Sequence, residues 1–262
     1  MTKQLFFSFA ASLLLLATSC TKVVDLELRD ASPRLVIEGQ LANNGQPCVV
    51  QLARSAGYKE INSFPPVTGA VITLSDDAGG LETLSETSPG QYRGRALTGQ
   101  PGRRYTLRVE AEGQSYVAVS TMPAVVPLTG LRLEPSPFGS DLRVVPVYQD
   151  PAGVRNYYLF RQYHNGRLNN SLYQWDDELS DGRLNMRPLG GGGGENDEFV
   201  SGDSVRVDMQ TIDADVSEYF RTLNEALGGN SAAPANPKTN FSGNVLGYFS
   251  AYTLQRRSLR VP

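Results

Sequence analysis

The chain carries one histidine, His164, and two cysteines, Cys20 and Cys48, so a Ser-His-Asp or Cys-His mechanism has a single imidazole to run through. His164 stands beside Asn165-Gly166, a pair that favours left-handed turn geometry, and reads as an exposed turn residue. A zinc site would have to take its other ligands from carboxylates, which is not a usual zinc donor set. Carboxylates cluster at Asp176, Asp177, Glu178 and Asp181 and again at Glu195, Asp197 and Glu198. Their spacing matches no calcium loop, and a solvated acidic loop is the expectation. Five glycines at 190–194 are followed by Glu195-Asn196 rather than Lys-Ser/Thr, so they do not form a phosphate-binding loop. The most suggestive set is aromatic: Tyr148, Tyr157, Tyr158, Phe160, Tyr163, Tyr173 and Trp175. Rings on the outward face of a strand can stack on sugars or anchor a partner, which makes Tyr157, Tyr163, Tyr173 and Trp175 the candidate binding residues. No residue is assigned a catalytic role, and no metal or cofactor is expected.

The N-terminus supplies an address. Lys3 precedes an apolar run at 5–17, and Thr18-Ser19-Cys20 follows it. The run is shorter than the roughly 20 residues a helix needs to span a membrane, so residues 1–19 read as an export signal. Small residues before a cysteine resemble a bacterial lipobox, which makes Cys20 the expected lipidation site and 20–34 a tether. Cys48 then has no partner for an internal disulfide, and the apolar run it opens, Cys48-Val49-Val50, marks it as a packing residue. With 24 basic against 27 acidic residues and a net charge of -3, the chain lacks the basic footprint of a nucleic-acid binder.

These residues need a frame. With 262 residues, 40% hydrophobic and 19% charged, the composition is globular, and its 26 glycines and 16 prolines are distributed as turn punctuation. Period-two segments at 35–41, 48–54, 70–75, 81–86, 91–95, 104–111 and 114–120 predict seven strands, the count for an immunoglobulin-like sandwich over 35–123. Thr121-Met122-Pro123 and the prolines at 127, 135 and 137 read as a stiff connection, placing a domain boundary near 124. Residues 124–262 then form a second β-rich domain, with strands at 144–148, 156–164, 168–175 and 204–211 and closing strands at 245–252 and 258–261. A long polar, glycine-rich loop is expected over 181–203. One helix is predicted over 216–227, capped by Asp215, with Glu218 as reciprocal partner and Gly228-Gly229 as its stop. Val216, Tyr219, Phe220, Leu223 and Leu227 share one face, so this helix should lie over a sheet as a lid.

Several stretches together resemble the bacterial lipoproteins grouped as domain of unknown function 4249. They are Leu35-Val36-Ile37-Glu38-Gly39, Pro66 to Leu74, Pro101-Gly102-Arg103-Arg104-Tyr105-Thr106-Leu107, Tyr219-Phe220-Arg221-Thr222-Leu223 and Gly247-Tyr248-Phe249-Ser250-Ala251-Tyr252 with Arg256-Arg257. The resemblance covers nearly the whole chain. It implies a Bacteroidota-type outer-membrane lipoprotein, often encoded beside a TonB-dependent receptor, with no catalytic residues to carry over. The expectation is a non-enzymatic accessory or ligand-binding subunit of an uptake system, held at the outer membrane by its lipid. The alternative is a stand-alone surface adhesin or envelope-structural protein.

Overall fold

The computed structural model describes residues 32–56, 64–137, 141–190, 198–228 and 235–262. The expected export signal, Cys20, most of the tether, Glu195 and Asp197 lie outside them. No helix among the described residues is long and apolar enough to cross a membrane.

The fold is mainly β, with an immunoglobulin-like sandwich and one helix. The strands are β1 (Leu35–Ala42), β2 (Pro47–Arg54), β3 (Val71–Asp76), β4 (Leu81–Thr83), β5 (Ser85–Ser88), β6 (Gln91–Thr98), β7 (Arg104–Ala111) and β8 (Gln114–Thr121), followed by β9 (Leu128–Pro135), β10 (Leu142–Gln149), β11 (Tyr157–His164), β12 (Arg167–Leu168), β13 (Tyr173–Asp176), β14 (Leu184–Asn185) and β15 (Ser204–Ile212). Helix α1 (Ala214–Leu227) and β16 (Leu246–Arg260) complete the chain. Alternation sets the faces: Tyr105, Leu107, Val109 and Ala111 of β7 are buried, while Arg104, Arg108 and Glu110 between them are exposed. Turn chemistry sets the register. Glu112 and Gly113 both have positive φ, as do Asn165 and Gly166, and such pairs close two-residue hairpins whose twist matches the strands they join.

One long sheet runs β12-β11-β15-β16-β1-β2-β6-β5, with β13 added beside β12 on the outer edge of β11. A sheet of order β4-β3-β7-β8 shares with it a core that includes Ile37, Leu52, Leu74, Tyr92, Leu107 and Phe249. A second small sheet, β14-β10-β9, shares another core built on Tyr148, Tyr158, Phe160, Val207 and Met209. The expected strand at 81–86 is two strands, because the chain passes from one sheet to the other at buried Leu84. Part of the expected proline-rich connection is β9, paired along its length with β10.

The expected boundary at 124 does not part the molecule, for Pro33–Pro262 forms one compact unit. Strand β16 is the reason. Leu246 to Tyr252 pair in parallel with Val36 to Ala42 of β1, and Thr253 to Arg260 pair antiparallel with β15. The two closing strands expected at 245–252 and 258–261 are therefore one strand that crosses both halves. Phe249 and Ala251 of β16 enter the first core, whereas Tyr248 and Tyr252 on its other face enter a third cluster under α1.

That cluster gathers Val216, Tyr219 and Phe220 of α1 with Leu159, Ile212, Tyr248 and Tyr252, so the helix is the lid that its apolar face predicts. Leu227, expected on the same face, is exposed. The N-cap is Asp213 rather than Asp215: its Oδ1 accepts the Val216 N–H at 2.9 Å. Its Oδ2 accepts the Ser120 hydroxyl and the Thr121 N–H, tying the start of the helix to β8. A tertiary contact thus chose between two aspartates that local sequence could not separate. Glu218, expected to complete a capping box, instead pairs with Arg221 at 2.7 Å. Cys48 is fully buried in the first core, and burial pushes its thiol well above the usual range, so it packs as a small hydrophobe.

Candidate functional site

The aromatic set divides by the pleat of β11. Tyr158 faces Trp175 and Phe160 faces Tyr173 across the β11–β13 pair, which puts all four on the side of the second core. Tyr157 and Tyr163 point to the other side. Tyr157 packs against the cluster beneath α1, and the Tyr163 ring is covered by Arg206, whose guanidinium carbon lies 3.6 Å from the ring centroid. Only Tyr173 and Trp175 of the four candidate binding residues therefore come together. Neither is an open stacking platform: the Tyr173 hydroxyl donates to the Gly190 carbonyl at 2.7 Å, and Trp175 is packed by Phe160 at 4.6 Å between ring centroids.

Tyr173 and Trp175 instead wall a cavity of about 490 Å³, a volume usual for small-molecule sites. Fully buried Tyr148, brought by β10, adds a third ring and packs on Tyr158 at 4.8 Å. Asn224 of α1 also lines it and donates to the Leu172 carbonyl at 3.3 Å. At the rim stands Arg187, its guanidinium carbon 4.7 Å from the centroid of Trp175. Sequence reasoning missed Arg187 because it lies in a stretch read as loop. No local pattern marked it: Leu184 and Met186 of the same stretch are exposed, and only Leu189 is buried.

Beside the cavity the structure gathers Asp150, Asp177 and Asp181, with one carboxylate oxygen of each within 4.8 Å of the others. The sequence pointed to Asp177 and Asp181, but Asp150 comes from the end of β10. Asp177 accepts the Asn156 N–H at 2.6 Å and faces Arg155 at 3.3 Å, and Asp181 accepts the Gly153 N–H at 2.8 Å. Asp150 accepts the Tyr158 hydroxyl and the Gly182 N–H. Burial raises the Asp150 carboxyl above its ordinary value, a proton there relieving repulsion among the three groups. These bonds join the 150–156 and 177–182 segments and so position one side of the cavity. Glu178 stays outside the group, 3.8 Å from Arg155.

His164 is not a free turn residue. Its Nε2 lies 2.7 Å from Asp203, and its ring meets Phe199 edge-on at 5.0 Å. Asp203 also accepts from the Asn165 side chain at 2.8 Å and from the Val200 N–H at 2.9 Å. Led by the Asn165 bond, these contacts hold the Asp203 carboxyl down at about 2, against an ordinary 3.8. A depressed folded-state value means that the ionised group stabilises the fold above the ordinary value and loses that contribution as pH falls through the folded one. Asp203→Asn is therefore expected to flatten the acid limb of the stability curve between about pH 4 and pH 2, read by urea denaturation at stepped pH. An unchanged acid limb would show that these contacts do not persist in solution.

A family model described as domain of unknown function (DUF4249) matches residues 21–258. No curated protein matches the chain. Among solved structures it is similar to a two fibronectin type-III domain segment from chicken tenascin, with 11% identity, 87% of this chain and 99% of that one covered, and a TM-score of 0.25. It is also similar to a pullulanase from Anoxybacillus sp. LM18-11 complexed with maltotriose, with 11% identity, 66% of this chain and 24% of that one covered, and a TM-score of 0.22. Likeness at that level carries no argument about function.

Proposed function

We propose, from the premise that the chain belongs to the domain of unknown function (DUF4249) family, that it is a lipid-anchored outer-membrane protein serving as a non-enzymatic, ligand-binding accessory subunit of a TonB-dependent uptake system. The observation that carries the binding role is the cavity walled by Tyr148, Tyr173 and Trp175 with Arg187 at its rim. The anchor rests on the run at 5–17 closed by Thr18-Ser19-Cys20. The link to a receptor rests on the family resemblance alone, which is an association and not a contact.

Two readouts test this reading. Cys20→Ala is expected to abolish incorporation of labelled palmitate and to release the protein from the membrane fraction, since one acyl chain contributes about 0.8 kcal/mol of membrane binding for each buried methylene. Capture of the wild-type chain from gently solubilised outer membrane, through a C-terminal tag, should bring down a large β-barrel receptor in near-stoichiometric amount. Retained labelling in the variant would remove the anchor. Capture with no barrel would move the weight to the adhesin or envelope-structural reading.

A further inference from the structure

We propose that the cavity beside β13 takes a small organic monoanion, a carboxylate carried on a ring with an apolar face, with Arg187 as its anchor. This rests on reading that cavity as the ligand site. Arg187 makes no hydrogen bond or ion pair with any described residue; its guanidinium lies over the face of Trp175 at 4.7 Å, and its charge acts on the Tyr148 hydroxyl. A guanidinium held over an indole still has N–H donors to offer, in a fork that matches a carboxylate. Trp175 thus holds the donor near the cavity before any ligand arrives, which lowers the cost of ordering it on binding.

The walls define the rest of the ligand. Tyr173 and Leu172 offer apolar surface to a ring over buried Tyr148, while Asn185 and Ser180 add polar groups to the lining. The charge around the site selects among anions. Asp176 lines the cavity, and Asp150, Asp177 and Asp181 lie just behind it. A single guanidinium facing that much negative charge favours one charge over two, hence a carboxylate over a phosphate dianion. Arg155 is committed to Asp176 and Asp177, at 3.5 and 3.3 Å, and does not join Arg187.

Trp175 is the only tryptophan in the chain, so its fluorescence reports on this cavity and nowhere else. The full-length, detergent-solubilised protein is titrated at millimolar concentrations with phenylacetate, its neutral isostere phenylacetamide, phenyl phosphate, glucuronate and glucose. At least one of the two acids is expected to change the emission saturably, at least about tenfold more tightly than its neutral counterpart and than phenyl phosphate, as loss of a charge-assisted pair implies. Which acid it is separates an aromatic acid from a sugar acid. Arg187→Met, which keeps an apolar cover over the indole, should weaken binding by at least about tenfold, and Arg187→Lys should restore part of it. The proposal is overturned if the neutral probes bind as well as the acids, if phenyl phosphate binds more tightly than both, if Arg187→Met titrates like the wild type, or if no acid gives a saturable change. Receptor capture reads the uptake-subunit proposal separately, so either can fail while the other stands.

Discussion

Replacing Gly247 by alanine is expected to lower the unfolding free energy by about 4 kcal/mol or more, a large part of the roughly 5–15 kcal/mol that holds an ordinary domain folded. Gly247 sits in β16 with φ +96, a conformation that an L side chain rarely adopts, and a Cβ placed there would meet the Ile37 carbonyl oxygen at 2.0 Å. Strain at such a backbone position costs about 1–3 kcal/mol by itself. The clash adds to it, because the obstacle is backbone and cannot rotate away. Ile37 and Gly247 are partners in the parallel pairing of β1 with β16, so relief requires opening the join between the two ends of the chain. Gly130→Ala supplies the control: a Cβ there meets only Val147, at 3.9 Å, and the change should be close to neutral. Equal midpoints for the two variants in urea would show that the seam tolerates a side chain and that the parallel register is not the one the protein uses.

The second large effect is expected at Asp213. Its carboxylate caps α1 through Val216 and receives Ser120 and Thr121 from β8, while the Ser120 oxygen in turn accepts the Ala251 N–H at 2.9 Å. Asp213→Ala removes the cap and leaves buried Ser120 without its acceptor, at a cost of about 2–3 kcal/mol. Asp213→Asn keeps a good cap and one acceptor oxygen, and should lose about half as much. The pH dependence has a definite sign. Burial raises the Asp213 carboxyl above its ordinary 3.8, so the folded state holds the proton more tightly than the unfolded state. Its contribution is complete below the unfolded value and declines as pH rises through the folded one. The penalty of Asp213→Ala should therefore be greater near pH 4 than near pH 7. Helix content by circular dichroism and urea midpoints at both pH values would check this. An equal penalty at the two values would contradict the direction of the shift.

Both effects fall where residues far apart in sequence meet, and the same division governs what the sequence revealed of the site. Tyr173 and Trp175 could be singled out because an aromatic run interrupted by a turn marks strand residues with rings to place. Tyr157 and Tyr163 belong to the same run, and only the partners of β11 decide which side of the sheet each ring meets. Arg187 had no periodicity to betray it. Its role depends on the pairing of β14 with β10 at Tyr148 to Asn185, which brings its stretch of chain alongside Trp175. Asp150 likewise joins Asp177 and Asp181 only because the end of β10 meets the turn after β13.

The sequence by itself determined the β class, most strand positions and their buried faces, the two-residue turns, the amphipathic helix, the packing role of Cys48 and the family. These are local properties: alternation, turn chemistry and helical period are written within a few residues and act wherever the segment lies. The tertiary structure alone decided that residues 33 to 262 form one unit rather than two, that β16 pairs with β1, that Asp213 rather than Asp215 begins α1, and that a cation faces an aromatic cavity. Each of these depends on which long-range contacts repay the entropy of closing large loops, and that competition is settled by the packing of the whole chain rather than by any segment of it.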